Sequence, residues 1–257
     1  MSKFSFKYFD SDALPDLFAA LKRTFDAANV PFYLIGARAR DVWFLPETKS
    51  RITRDVDWIA ASEEAALFEE ITTQLIKNEN FTKTKNPYTL ISPTGIEVDI
   101  LPFIKDTGRS LEGLIEVFER GTEGVIFDEN ATYQVATLPA IVLLKLIAWD
   151  DRPEYRLKDL GDIASILDNY FDIASEDIYD NHNDLFGNKE LEEIAAYVIG
   201  RKIKYIVGDS SDLKERLTHI LTQKRSMIAQ RMAANQSESE ISIGLILKNL
   251  LDGILEK

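Results

Sequence analysis

The chain has 257 residues, is 45% hydrophobic and 28% charged, and carries a net charge of −13. It has no cysteine and two histidines, His182 and His219, which excludes disulfides, thiolate metal sites and a multi-histidine zinc centre. The acidic balance argues against nonspecific nucleic-acid binding over the whole surface. With no signal-like apolar run and no stretch near the roughly 20 apolar residues of a membrane span, a cytoplasmic protein with no membrane partner is expected.

Leu14, Leu17, Phe18, Leu21 and Phe25 recur at helical spacing and predict a helix over 11–29, with Ser11 or Asp12 as N-cap and Pro15 in its first turn. Phe32–Gly36 is a short apolar run closed by glycine, which reads as a buried strand. The next residues, Ala37-Arg38-Ala39-Arg40-Asp41, read as a helix starting directly after it. Strand, glycine and helix N-terminus make a seat for an anion, to which Arg38 and Arg40 could add charge. A plain tight turn with two surface arginines accounts for the same residues.

Residues 46–52 form a loop, and Thr53-Arg54-Asp55-Val56-Asp57-Trp58 follows. Residues i and i+2 of a strand share a face, so Asp55 and Asp57 aim at one spot. Two like charges that close need something positive between them, and a hard divalent cation suits oxygen donors. A helix is expected over 62–77, started at Ser62. Residues 88–92 and 96–101 read as a hairpin closed by Pro93-Thr94-Gly95, with Asp99 on the polar side of an otherwise apolar strand.

A short helix over 111–120 and two strands, 124–127 and 132–135, complete the first half. From Pro139 on, helices are expected over 139–149, 155–170, 189–208, 213–233 and 240–255. The three tryptophans are read as packing residues and both histidines as surface residues. The bases around Arg201, Lys202, Lys204, Lys214, Arg216, Lys224, Arg225 and Arg231 are either an RNA-facing surface or two solvated helix faces.

Carboxylates converging from adjacent strands can hold two Mg²⁺ ions about 4 Å apart, and the glycine turn would hold the triphosphate they carry. With Gly36-Ala37, Asp55-Val56-Asp57 and Asp99 in this order, the chain resembles the nucleotidyltransferases of the DNA polymerase β superfamily. Ala37 stands where that family has Ser or Gly. It admits phosphate to the backbone but offers no hydroxyl. Lys145, Arg152 and Lys158-Asp159-Leu-Gly-Asp162 are similar to the motifs that follow the catalytic domain in AbiEii-like nucleotidyltransferases, the toxins of type IV toxin–antitoxin systems.

The resemblance implies an α+β nucleotidyltransferase domain with a small mixed β-sheet over 1–137. An all-helical C-terminal domain over 138–257 would close the active-site groove. It implies transfer of a nucleoside monophosphate from an NTP substrate to an acceptor hydroxyl, with Mg²⁺ (two ions) as cofactor. Asp55, Asp57 and Asp99 would be the catalytic and metal residues. Gly36, Ala37, Arg38, Arg40, Lys145, Arg152, Lys158, Asp159 and Asp162 would bind the nucleotide. A tRNA 3′ end or other RNA would be the acceptor, and a cognate antitoxin the partner. Read as residues alone, Asp159 and Asp162 share a helix face and equally fit a salt-bridged helix pair. A small-molecule, aminoglycoside-type nucleotidyltransferase and a catalytically silent nucleotide-binding module are the alternatives.

Overall fold

The computed structural model describes residues 2–9, 11–44, 48, 53, 55–103, 112–234 and 239–256. Arg54, Leu111 and the loop expected over 46–52, apart from residue 48, lie outside them. The chain divides into two compact units. The first comprises Met1–Val42, Lys49–Leu111 and Thr122–Thr137, and the second Trp43–Thr48, Glu112–Gly121 and Leu138–Lys257.

The first unit is built on an eight-stranded mixed sheet. Its strands are β1 (Ser2–Phe4), β2 (Phe32–Ile35), β3 (Asp55–Ala60), β4 (Thr82–Lys83), β5 (Thr89–Ile91), β6 (Glu97–Pro102), β7 (Thr122–Phe127) and β8 (Ala131–Ala136). They lie in the order β1-β7-β8-β2-β3-β6-β5-β4. The sequence pattern outlines the strands from β2 onward apart from β4, and a mixed sheet in the first half with helices in the second is the architecture expected. Strands β1 and β4, three and two residues long, are too short to display a period of two. Helices α1 (Leu14–Ala27), α2 (Gly36–Trp43) and α3 (Ala65–Asn78) accompany the sheet.

Helix α1 begins without a side-chain cap, at Ala13 rather than Ser11 or Asp12. Pro15 in its first turn removes one of the backbone N–H groups that a capping oxygen would accept from, which weakens the case for a capping residue there. Its apolar face packs on the sheet through aromatic rings. Phe18 meets Trp58 edge-on at 5.0 Å and Phe25 stacks on Phe32 at 4.5 Å. Trp58 is fully buried, which makes it a packing residue as expected.

The second unit is helical: α4 (Leu114–Arg120), α5 (Leu138–Asp151), α6 (Leu157–Ile173), α7 (Ser175–Asn181), α8 (Leu191–Val207), α9 (Ser211–Gln223), α10 (Arg225–Ala233) and α11 (Glu240–Leu255). The expected single segment over 213–233 is two helices that break at Lys224. There the chain leaves helical geometry and the Lys224 ammonium pairs with Asp150 of α5. Helix α5 is apolar almost all round and correspondingly buried. Among the described residues no helix is long and apolar enough to cross a membrane.

Helices α8 and α11 touch backbone to backbone at Gly200 and Gly253. A Cβ on Gly253 would overlap the Tyr197 carbonyl oxygen and stand 3.0 Å from the Arg201 nitrogen. Gly253→Ala is expected to lower stability by about 3 kcal/mol, because backbone on both sides must move apart. Gly244→Ala on the same helix meets nothing within 4 Å and should raise stability by up to about 1 kcal/mol through helix propensity. Urea unfolding midpoints of the two variants should move in opposite directions.

Candidate active site

Strands β3 and β6 run parallel, in a register that pairs Asp55 with Glu97 and Asp57 with Asp99. Paired residues of neighbouring strands share a face, as do residues two apart along one strand. All four acidic side chains therefore belong to one face of the sheet, with Val56 and Trp58 on the other. Asp55, Asp57 and Asp99 are half-buried and Glu97 is exposed. Glu97 was missed from sequence, although its parity with Asp99 marks it. Only the β3·β6 register brings it opposite Asp55.

Each aspartate has a local partner. The Thr53 hydroxyl, buried, donates to Asp55, and the Thr89 hydroxyl of β5 donates to Asp99. Asp57 stands against Gly36, because β2 pairs antiparallel with β3 and sets Ile35 opposite Asp57. Gly36 has φ +72°, a conformation L side chains rarely adopt, and a Cβ there would run into the Asp57 carboxylate, 3.0 Å from its Cγ. The glycine turn is thus fitted to Asp57 as well as to helix α2. Gly36→Ala is expected to cost about 1–2 kcal/mol of stability from the backbone alone. It should also push the Asp57 carboxylate aside and reduce any activity that depends on that group. Paired thermal unfolding and activity assays would check both effects.

Arg38 does not reach out from the turn. Its guanidinium donates to the carbonyls of Phe9 (3.1 Å) and Thr53 (2.9 Å), and lies 5.2 Å from the Phe9 ring centre. It braces the residue that holds Asp55, a positioning task that sequence reading missed. Arg40 is 1% exposed and pairs with Asp41 at 2.7 Å. Ala37 is buried at the helix N-terminus.

Lys145, Asp159 and Asp162 meet inside the second unit. The Lys145 ammonium lies 2.9 Å from Asp159 and 2.6 Å from Asp162, and Arg156 adds a longer contact to Asp159 at 3.4 Å. All three are buried, so Lys145 neither snorkels to solvent nor ends in open space. This is the salt-bridged helix pair read as an alternative from sequence. Lys158 and Arg152 are exposed.

The basic stretch over 201–231 is largely neutralised. Arg201 pairs with Asp184 (2.5 Å) and Glu256 (2.6 Å), and Lys202 with Asp177 (2.7 Å). Arg216 joins Glu112, Asp150 and Asp151, and Arg231 donates to the Pro153 carbonyl. Burial alone would raise Asp150, but hydrogen bonds from Lys224 and Arg216 hold it below the usual carboxylate range. His182 corrects the expectation of a surface histidine. Its side chain is 14% exposed and meets Arg201 at 3.0 Å. Burial lowers its pKa against the pull of Asp177. His219 is exposed, as expected.

The acidic sheet face is a hard-oxygen donor set, which suits a divalent cation in its chemistry and strand placement. Among the described residues no group of three His, Cys, Asp or Glu side chains is arranged to hold an ion as it stands.

No protein-family model matches the chain, and no curated protein matches it. Among solved structures it is similar to an antigenic nucleotidyltransferase-like protein from Paracoccidioides brasiliensis, at 18% identity and TM-score 0.47, over 87% of this chain and 94% of that one. It is also similar to the antibiotic-resistance factor ANT(2'')-Ia, at 15% identity and TM-score 0.39, over 74% of this chain and 94% of that one. With both TM-scores below 0.5, these likenesses assign no activity to this chain.

Proposed function

We propose that the chain is a metal-dependent nucleotidyltransferase that moves a nucleoside monophosphate from an NTP to an acceptor hydroxyl. The observation that carries this reading is the parallel register that sets Asp57 beside Asp99, with Asp55 two residues away on the same face. Asp55 and Asp57 would hold two Mg²⁺ ions, and Asp99 would complete the site on the nucleophile side. Bound there, the ions would polarise the phosphate oxygens and neutralise charge on the departing pyrophosphate.

The rest is work for the chain's own groups. An Asp99 carboxylate oxygen accepts the proton of the acceptor hydroxyl. The acceptor oxygen bonds to the α-phosphorus as the bond to the β-bridging oxygen breaks, and that electron pair leaves with pyrophosphate. The backbone of Gly36 and Ala37, at the N-terminus of α2, faces the phosphate groups. Thr53, Thr89 and Arg38 position the carboxylates.

The motif resemblance favours an RNA 3′ end, such as that of tRNA, as acceptor, with an antitoxin as regulatory partner. A small cationic acceptor is the second reading. It is favoured by the net charge of −13 and by the ion pairs that occupy Arg201, Lys202, Arg216, Lys224 and Arg231. Labelled NTPs with Mg²⁺ would be offered total RNA in one reaction and an aminoglycoside in another. Label on RNA supports the first acceptor, and label on the drug supports the second. Nucleotide binding without transfer to either would make the chain a binding module and overturn the enzymatic reading.

A further inference from the structure

The second unit contains a cavity of about 580 Å³, formed where the ends of α4, α8 and α11 meet the start of α9. That volume lies within the roughly 300–1,000 Å³ typical of small-molecule pockets. Its lining is unlike the rest of this acidic chain: four cationic side chains face two carboxylates.

The way these charges pair off decides what the cavity can take. Glu256 accepts both the Nε and an NH2 hydrogen of Arg201, which also pairs with Asp184, so the Arg201 charge is fully compensated. The remaining carboxylate is Asp209. Set against it are Arg120, Lys204 and Lys214. Among the described residues neither Lys204 nor Lys214 forms a close ion pair, although Lys204 acts on Glu256 at longer range, and both are half-buried. Arg120 has only a long contact to Glu119, at 3.3 Å, itself 53% exposed and so weak.

Gly208 has φ +55°, and a Cβ there would occupy the position of the Arg120 guanidinium. The guanidinium therefore rests on the glycine backbone at the cavity. With Asp209 as the one carboxylate set against three cations, the lining keeps an excess of positive charge in a concave site, and an ammonium pair with a guanidinium fork matches the oxygens of linked phosphates. Beside them Tyr205 is 67% exposed, although it belongs to a helix whose apolar residues are mostly buried. An exposed ring beside such cations can serve as a stacking platform for a base.

We infer that this cavity is a binding site for a nucleoside diphosphate-type ligand, with the phosphates on Arg120, Lys204 and Lys214 and the base on Tyr205. It needs no metal and is lined by residues of the helical unit alone, so its binding can be measured without the transfer reaction proposed above.

Calorimetric titration of the full chain with ADP, inorganic pyrophosphate and adenosine, all in EDTA, tests the inference. The chelator suppresses binding that depends on a cation at the aspartates, so failure here and failure of the transferase reading remain distinguishable. ADP is expected to bind more tightly than either fragment and to weaken as salt is raised. Lys204→Ala with Lys214→Ala should weaken ADP at least tenfold, and Tyr205→Ala should weaken ADP but not pyrophosphate. Circular dichroism should show both variants folded, since the altered side chains reach solvent. The inference is overturned if ADP does not bind in EDTA, if the double lysine variant binds it unchanged, or if pyrophosphate binds as tightly as ADP.

Discussion

Asp57→Asn is expected to abolish nucleotidyl transfer while leaving the fold intact. The substitution keeps the shape of the side chain and removes one charge. A carboxylate that shares a divalent cation contributes several kcal/mol of charge stabilisation in the transition state, so the rate should fall by about a thousand-fold or more. The stability balance is different. Asp57 lies directly opposite Asp99, and removing one of two facing like charges relieves repulsion. The same charge sits against Gly36 at the start of α2, where a helix dipole favours an anion. The two effects oppose each other, and the unfolding free energy should change by less than about 1 kcal/mol. Labelled-NTP transfer and urea unfolding of the same preparation check the pair of outcomes. Transfer at the parent rate would remove Asp57 from the mechanism. A large loss of stability would instead make it a structural residue.

Lys145→Met is expected to do the reverse, acting first on stability. Lys145 is the one charged side chain in the buried part of α5, and its ammonium neutralises two buried aspartates at 2.9 and 2.6 Å. Methionine fills a similar volume but leaves Asp159 with only the longer contact from Arg156. Removing one partner of a buried ion pair costs about 3–5 kcal/mol, because the remaining charge stays desolvated. Combining Lys145→Met with Asp159→Leu and Asp162→Leu should recover most of that loss, since the apolar replacement no longer buries a charge. Chemical unfolding of the single and triple variants measures this directly. If Lys145 met substrate phosphates instead, Lys145→Met would depress activity with little change in the unfolding midpoint.

The contrast between these two residues shows where local pattern carried information. Asp55 and Asp57 are read from a spacing of two at the head of an apolar run, and β3 begins at Asp55. The glycine that closes β2 is likewise a local signal, and its positive φ follows from it. Lys145 carries no such signal. A lysine in an apolar helix looks alike whether it snorkels, enters a cleft or meets two carboxylates 14 and 17 residues later.

By itself the sequence determined the strand–glycine–helix turn, the three aspartates on strands, the hairpin that carries Asp99 and the helical second half. All of these rest on periodicity and turn chemistry within about a dozen residues. Only the tertiary structure decided that β3 and β6 pair in parallel with Asp57 beside Asp99, and that Glu97 joins them. It alone decided that Arg38 braces Thr53 and that Arg40 is buried on Asp41. The physical reason is the same in each case. Strand register and the partner of a buried charge are fixed by desolvation and ladder hydrogen bonds between segments far apart in the chain, and no local pattern records them.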